Sequence, residues 1–120
     1  MDQKWKIIYY ESSQGNSPVF EFIQNLDPKI KSKVIEILDL LKQFGILMGL
    51  PHSKKVTGTP LWELRILGGD NVRIFYVAVV NRRFLLLHAF FKKKQKTDTR
   101  EIKNAINRLS EYNSRLKTGS

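Results

Sequence analysis

The sequence predicts a single α+β domain built around a twisted antiparallel sheet. Two observations lead to this fold class. Three strand-like segments follow one another between residues 61 and 91 with only short turns between them, which is typical of an antiparallel meander. Two helix-like segments come before this meander and one comes after it, so the predicted order is β-α-α-β-β-β-α. A chain of 120 residues is long enough for one hydrophobic core.

The N-terminal part of the chain is predicted to form one strand and an αα-hairpin. The segment Lys4 to Tyr10 is rich in β-branched and aromatic residues, which favour a strand. Ser17-Pro18 and Asp27-Pro28 each place an N-cap residue before a proline, a combination typical of a helix start. The second helix is expected to end at Gly45 and to bury one apolar face, formed by Ile30, Val34, Leu38, Leu41 and Phe44. The two helices are therefore expected to lie on one face of the sheet.

Residues 49 to 60 (GLPHSKKVTGTP) are predicted to form a loop, because this segment holds two Gly and two Pro. Long loops in compact domains often have a function. His52, Lys54 and Lys55 are the side chains of this loop that could move a proton or bind an anion.

The meander is predicted to contain strands Leu61 to Leu67, Val72 to Val80 and Phe84 to Phe91, with turns at Gly68-Gly69-Asp70 and Asn81-Arg82. The last of these strands is apolar on both faces, which indicates a central strand covered on both sides.

Side-chain alternation predicts which polar residues of the meander share a face. Glu63 and Arg65 are expected on one face of the first strand, and Arg73 is expected in line with the apolar residues of the second. His88 is expected to share its face with alternate residues of the third strand, namely Phe84, Leu86 and Phe90.

A C-terminal helix is predicted from Asp98 to about Leu116. Its apolar residues fall on one side, at Ile102, Ala105, Ile106, Leu109, Tyr112 and Leu116. Asp98 and Glu101 have the spacing of a capping box. Between the last strand and this helix stand four lysines within five residues, Lys92 to Lys96.

The net charge of +10 is concentrated near the C-terminus, since residues 1 to 80 carry +2 and residues 81 to 120 carry +8. This separation favours a polyanion or an acidic protein as a partner, with solubility alone as the alternative. The sequence has no Cys, no apolar run as long as a membrane helix and no signal-peptide pattern. A cytoplasmic protein without membrane contact is therefore expected.

Several familiar sites are excluded by the residue types. There is no Gly-rich phosphate loop, no nucleophilic Ser elbow and no Cys nucleophile. His52 and His88 are the only histidines, and neither has a second ligand at metal-binding spacing, so neither a metal nor a cofactor is expected. Lys, Arg, Glu and His side chains are left to carry any chemistry.

The motifs LWELR, RIFY, LLLHAFFKKKQKT and EIKNAINRLSEY, in this order, resemble the toxins of the RelE/HigB superfamily of type II toxin–antitoxin systems. The similarity is greatest to the phage-derived, HigB-like branch. Asp98 departs from the pattern, because the family commonly has Pro there. The resemblance implies a RelE-like fold and a ribosome-dependent endoribonuclease that cuts translated mRNA in the A site. It also implies a cognate helix-turn-helix (HigA-like) antitoxin, contact with the ribosome and mRNA, and operator DNA bound only through the antitoxin complex.

Lys and Arg suit such a reaction on chemical grounds, because RNA is cleaved when its own 2′-OH attacks the adjacent phosphate. The enzyme must align the attack, offset the developing charge and move two protons. Arg65 and Arg73 are candidates for holding the scissile phosphate, and Lys92 and Lys93 for the functional basic residues that the family has after this strand. Glu63 is a candidate general base, or else the partner of Arg65 in a structural ion pair.

The remaining candidates divide into proton-transfer groups and contacts to the RNA backbone. His88 is either a sheet histidine held within the fold or an acid–base group. His52 and Lys54 are the other acid–base candidates. Contacts to the RNA backbone are expected from cations near the meander, namely Lys55, Lys94, Lys96, Arg82 and Arg83.

Two other functions fit the same sequence. A ParE-like toxin has a similar architecture but poisons DNA gyrase, although the HAFFKKKQKT segment resembles the ribonuclease branch more. A basic module that binds RNA or the ribosome without cleaving it is the other alternative.

Overall fold

The computed structural model describes residues 4–68 and 71–118. Within them the chain forms five strands, a one-turn 3₁₀ helix and three α-helices. The strands are β1 (Lys6–Tyr9), β2 (Ser53–Lys55), β3 (Trp62–Arg65), β4 (Val72–Val79) and β5 (Arg83–Phe91). The helices are α1 (Pro18–Gln24), α2 (Pro28–Phe44) and α3 (Thr99–Thr118), and the 3₁₀ turn is Gly45–Leu47. The predicted α+β class, the helix pair and the C-terminal helix are confirmed.

The five strands form one sheet in the order β1-β5-β4-β3-β2. Strands β3, β4 and β5 pair antiparallel, as predicted for the meander. The prediction of a wholly antiparallel sheet was wrong, because β1 pairs parallel with β5, with Ile7 opposite Phe84. These two strands are far apart in the chain, so no short hairpin fixes their relative direction.

Strand β2 lies in the segment predicted to be a loop, so that prediction was wrong for Ser53–Lys55. These three residues pair antiparallel with β3. Ser53 is buried, and its hydroxyl shares a 2.5 Å hydrogen bond with the hydroxyl of Tyr76. The pairing therefore rests on backbone hydrogen bonds and one polar contact rather than on an apolar pattern.

Helices cover both faces of the sheet. Helices α1 and α2 pack on one face, called here the α1/α2 face, and bury residues such as Val19, Val34 and Leu41. Helix α3 packs on the opposite face, the α3 face, through Ala105 and its apolar neighbours. Strand β5 lies between β1 and β4 and is buried on both sides, as predicted for the apolar strand.

A β-bulge changes which side of the sheet His88 faces. Tyr76 lies opposite Leu86, whereas Phe75, the residue before it, lies opposite His88, so Leu87 is an extra residue in β5. One extra residue moves every following side chain to the other face. The expected alignment of His88 with Phe84 and Leu86 was therefore wrong, and His88 lies on the α3 face with Phe75.

Both turns of the meander use left-handed backbone. At the β4–β5 turn, Asn81 has φ 65° and Arg82 has φ 55°, and residues 80–82 lie between the paired residues Val79 and Arg83. At the other turn, Gly68 has φ 69°, and the predicted turn residues Gly69 and Asp70 lie outside the described residues. None of the helices in the described part of the chain combines the length and apolar character needed to cross a membrane.

Candidate functional site

Two of the predicted arginines and the lysines after β5 lie where β3 ends, β4 begins and β5 ends. Arg65 lies directly opposite Arg73, and Arg73 lies opposite Phe90 on the next strand. The backbone N–H of Lys92 donates to the carbonyl of Asn71 at 2.9 Å, so the lysine segment leaves the sheet at this same end. Arg65, Arg73 and residues 92–96 are together called the basic end.

A buried carboxylate holds the two arginines of the basic end. Glu63 has a side chain only 8% exposed, and its Oε1 accepts from Nε of Arg65 at 3.1 Å. The same oxygen lies 4.0 Å from Nε of Arg73. Like charges directly opposite each other on neighbouring strands repel, and a carboxylate between them offsets that repulsion.

Arg73 is the more buried of the two arginines. Its side chain is 15% exposed, and burial lowers the pKa of its guanidinium; Arg65 acts in the same direction and Glu63 in the opposite one. One terminal nitrogen donates to the carbonyl of Val72 at 3.2 Å, whereas Nε is buried without a hydrogen bond among the described residues. A desolvated, incompletely paired cation costs stability and is typical of functional sites.

Strand β2 brings the loop candidates to the same end of the sheet. Lys54 lies opposite Glu63. The backbone N–H of Arg65 donates to the carbonyl of His52 at 2.8 Å, so His52 lies opposite Arg65. Nδ1 of His52 is buried without a hydrogen-bond partner among the described residues. The structure therefore places both candidates beside the arginines.

His88 joins β5 to α3 through both ring nitrogens. Its Nε2 lies 2.8 Å from Oε1 of Glu101, and its Nδ1 lies 3.1 Å from a terminal nitrogen of Arg108. Because arginine can only donate, Nδ1 must accept and Nε2 must carry the hydrogen that Glu101 accepts. Arg108 also donates to the carbonyl of Leu87 at 2.8 Å.

The surroundings of His88 favour the neutral ring. Burial lowers the pKa of His88 most, the charge of Arg108 lowers it further, and the hydrogen bond to Glu101 acts in the opposite direction. The contacts thus fit the first of the two expectations for His88, a histidine held within the fold.

Glu101 and Arg108 were not among the candidates drawn from the sequence. They stand seven residues apart on α3, which puts them on one face of the helix. Glu101 was expected to serve the capping box, but its carboxylate turns to His88, and Asp98 alone caps the helix by accepting from the N–H of Arg100 at 2.9 Å. These two partners could have been predicted from the sequence only if His88 had been placed on the α3 face.

A cavity of about 190 Å³ opens between the end of β5 and the start of α3. Cations, carboxylates and aromatic rings line this β5–α3 cavity, namely Phe90, Phe91, Lys92, Lys93, Lys94, Lys96, Asp98 and Glu101. A larger groove of about 410 Å³ lies between β1 and α2, and none of the predicted site residues lines it. The charged groups of the smaller cavity adjoin the basic end, whereas the groove lies beside α2.

The structure does not bring the other predicted RNA contacts to the basic end. Arg82 and Arg83 lie at the opposite end of the β4–β5 hairpin, here called the turn end, roughly 25 Å away at about 3.3 Å per residue. Arg82 stacks over the ring of Trp5 at 5.2 Å, and Nε of Arg83 donates to the carbonyl of Val80 at 3.0 Å. Lys55 stacks over Trp62 at 5.5 Å on the α1/α2 face.

Residues 21–110 match the model of the family described as phage-derived protein Gp49-like (DUF891). The chain belongs to this family. The matched region of the Gp49-like chain runs from within α1 to the second half of α3 and contains the basic end and the β5–α3 cavity. The family is phage-derived and associated with RelE-type, toxin-like proteins. No curated protein matches the chain, and no group of three or more potential metal ligands lies within residues 4–68 and 71–118.

Proposed function

We propose that this Gp49-like protein is the toxin of a type II toxin–antitoxin system, a HigB-like endoribonuclease that cuts translated mRNA in the ribosomal A site. One observation carries the proposal. Two arginines face each other on neighbouring strands, share one buried carboxylate, and stand beside a segment of four lysines. Cations fixed in this way can bind a phosphodiester and stabilise its transition state with little rearrangement.

The reaction proceeds by attack of the 2′-OH on the adjacent phosphate, so the RNA supplies its own nucleophile. Arg65 and Arg73 hold the scissile phosphate through their terminal nitrogens. Glu63 acts on the arginines, because its Oε1 faces Nε of both and its side chain is almost fully buried. This geometry supports the ion-pair role for Glu63 over the role of general base.

The lysines supply the remaining positive charge. Lys92 and Lys93 line the cavity next to the strand end and offset charge on the phosphate. Lys94 and Lys96 contact the RNA backbone and position the strand without reading its sequence. Lys54 and His52 lie next to β3, on the side of the arginines away from the lysine segment. They are the proton donors of the phosphate site.

The partners of the proposed toxin follow from the same class of system. A cognate helix-turn-helix, HigA-like antitoxin would silence it by covering or displacing the basic end, and operator DNA would be bound only by that complex. Its substrate would be mRNA on the cytoplasmic ribosome. The concentration of charge in residues 81–120 supports both an acidic inhibitor and an RNA substrate.

Induced expression followed by primer extension tests this function. We expect growth arrest with discrete cuts inside translated messages and intact untranslated ones. Growth arrest with intact messages and broken DNA would instead identify a gyrase poison. Salt-sensitive RNA binding without cleavage on programmed ribosomes would identify a non-catalytic binding module.

A further inference from the structure

A carboxylate in the wall of the β5–α3 cavity is oriented by a chain of two hydrogen bonds. Arg108 donates to Nδ1 of His88, and Nε2–H of His88 donates to Oε1 of Glu101. The side chain of Glu101 is 27% exposed and lines the cavity together with the lysines. The proposed reaction needs a group that removes the 2′-OH proton, and the arginines and lysines of the basic end are poor acceptors because they are cations.

We propose that Glu101 is the general base, a catalytic residue that takes the proton from the attacking 2′-OH of RNA bound in the β5–α3 cavity. This inference rests on the proposed ribonuclease function and names the proton acceptor of that site. His88 and Arg108 are positioning residues. They hold Oε1 of the carboxylate and leave its second oxygen to accept from the substrate.

Two other carboxylates near the basic end are worse placed for this task. The Oε1 of Glu63 faces two arginine Nε groups, and its side chain is largely closed to solvent. Asp98 also lines the cavity, but its Oδ1 caps α3. Of these three, only Glu101 both lines the cavity and is oriented by a partly buried hydrogen bond from another element, because the cap bond of Asp98 is exposed and local to α3.

The orientation chain works because the imidazole has only one possible tautomer here. The guanidinium of Arg108 makes Nδ1 an acceptor, so the hydrogen is on Nε2 and faces Glu101. The neutral imidazole orients the carboxylate by one hydrogen bond to Oε1. The arrangement is similar to that of a catalytic base held in place by other groups, and here the base is the carboxylate of Glu101.

The reaction balances without any external reactant. A bond forms between O2′ and phosphorus, and the bond between phosphorus and O5′ breaks. The 2′-OH proton goes to Glu101, and the leaving O5′ takes a proton from the ammonium group of Lys54, which lies on the other side of the arginines. The protonated Glu101 then returns its proton to the neutral lysine through water. The products are a 2′,3′-cyclic phosphate and a 5′-OH end.

Glu101→Gln tests the assignment, because the amide keeps an oxygen for His88 but cannot act as the base. On ribosomes programmed with mRNA, we expect single-turnover cleavage to fall on the order of a hundredfold or more. Affinity for a single-stranded RNA probe is expected to stay equal or to rise, because one negative charge leaves a basic cavity. Glu111→Gln is the matched control on the same helix, since Glu111 pairs with Tyr10 and Arg115 outside the cavity.

The outcomes separate the inference from the function beneath it. If the wild type cleaves and folded Glu101→Gln cleaves equally well, Glu101 is not the base, although the ribonuclease function stands. If the wild type does not cleave programmed mRNA, both fail. Should Glu101→Gln not fold, Glu101→Asp retracts the carboxylate by one methylene. Unchanged cleavage by that variant would also overturn the assignment, because about 1 Å of misplacement is expected to slow the reaction markedly.

The positioning role of His88 has its own readout. His88→Gln keeps an N–H that can reach Glu101, whereas His88→Leu removes the donor. We expect the Leu variant to have a kcat on the order of tenfold below that of the Gln variant, with similar KM and similar thermal stability. Equal kcat values in the two variants would show that His88 serves only the packing of α3.

Discussion

The two ends of the sheet each carry two arginines, and they differ in what surrounds the charge. At the basic end, Arg65 and Arg73 share the buried Glu63, and Arg73 is largely removed from solvent. At the turn end, Arg82 stacks on an aromatic ring and Arg83 donates to a turn carbonyl close to solvent. Burial therefore disfavours the arginine charge at the basic end, whereas the surroundings at the turn end tolerate it.

This contrast shows that positive charge alone does not mark a site in a chain of net charge +10. Arginines on a ring or a turn carbonyl keep most of their hydration and need no other explanation. Two facing arginines that need a buried carboxylate between them are costly to build, and such arrangements persist where they serve a function. Desolvation, rather than charge, separates the two ends.

The largest expected effect is a difference in toxicity between a variant of the basic end and a variant of the turn end. Arg73→Ala is expected to lower cleavage and relieve toxicity on the order of a hundredfold, about 3 kcal/mol in the barrier, because the variant has no fixed cation at this position to hold the phosphate. Arg83→Ala removes an equal charge from the turn end and is expected to leave toxicity unchanged. Growth after induction, with circular dichroism to confirm folding, measures both. Toxicity that survives in a folded Arg73→Ala variant would refute the placement of the site.

The next effect concerns the carboxylate that holds the basic end together. Glu63→Gln leaves two guanidinium groups facing each other without a counter-charge, and is expected to lower the free energy of unfolding by about 2 kcal/mol. Asp39→Asn removes a carboxylate from an exposed ion pair with Lys42, and is expected to cost less than about 0.5 kcal/mol. Urea denaturation measures both. Equal decreases would mean that Glu63 does not hold the arginines.

A smaller effect is expected in RNA binding. Replacing Lys94 and Lys96 by Ala should weaken binding of single-stranded RNA severalfold and reduce the salt slope by about 1.4, at roughly 0.7 for each phosphate that a lysine no longer neutralises. The matched pair Arg82→Ala with Arg83→Ala is expected to leave the salt slope unchanged. Binding measured at several salt concentrations decides this. An equal change for both pairs would mean that RNA binds the whole charged surface and not one end of it.

The smallest expected effect is a pH dependence of the free energy of unfolding that comes from His88. Burial lowers the pKa of His88 in the fold, so the unfolded chain takes up this proton first as the pH falls. The contribution of His88 to the free energy of unfolding is therefore expected to be fully present above its ordinary pKa near 6.5 and to be lost as the pH falls below that value. His88→Gln should remove this part of the dependence, whereas the turn-end arginines stay charged throughout. Denaturant titrations between about pH 7 and pH 5 measure it.

The parts of the fold that the sequence predicted well are those with a strong local pattern. The helix starts at Pro18 and Pro28 and the antiparallel meander all follow from turn residues and apolar periodicity. Strand β2 has no such pattern, because its residues are Ser-Lys-Lys and its pairing depends on β3. The parallel partner of β1 depends on contacts between segments far apart in the chain, such as Lys6 with Arg83, which no short stretch encodes.

The candidate site was predictable only where strict alternation holds. Arg65 and Arg73 were expected on adjacent strands, and the structure places them directly opposite each other. The bulge at Leu87 breaks the alternation, so His88 was assigned to the wrong face. Its partners Glu101 and Arg108 were missed for the same reason, because they meet His88 only on the α3 face.

The central claim is that the basic end, and not the turn end, acts on RNA. Single-turnover cleavage of mRNA on programmed ribosomes tests it most directly, with the wild type, a variant carrying Arg65→Ala and Arg73→Ala, and one carrying Arg82→Ala and Arg83→Ala. We predict that the turn-end variant cleaves within about twofold of the wild type and the basic-end variant at least about a hundredfold more slowly. Equal rates in the two folded variants, or cleavage abolished only in the turn-end variant, would contradict the claim.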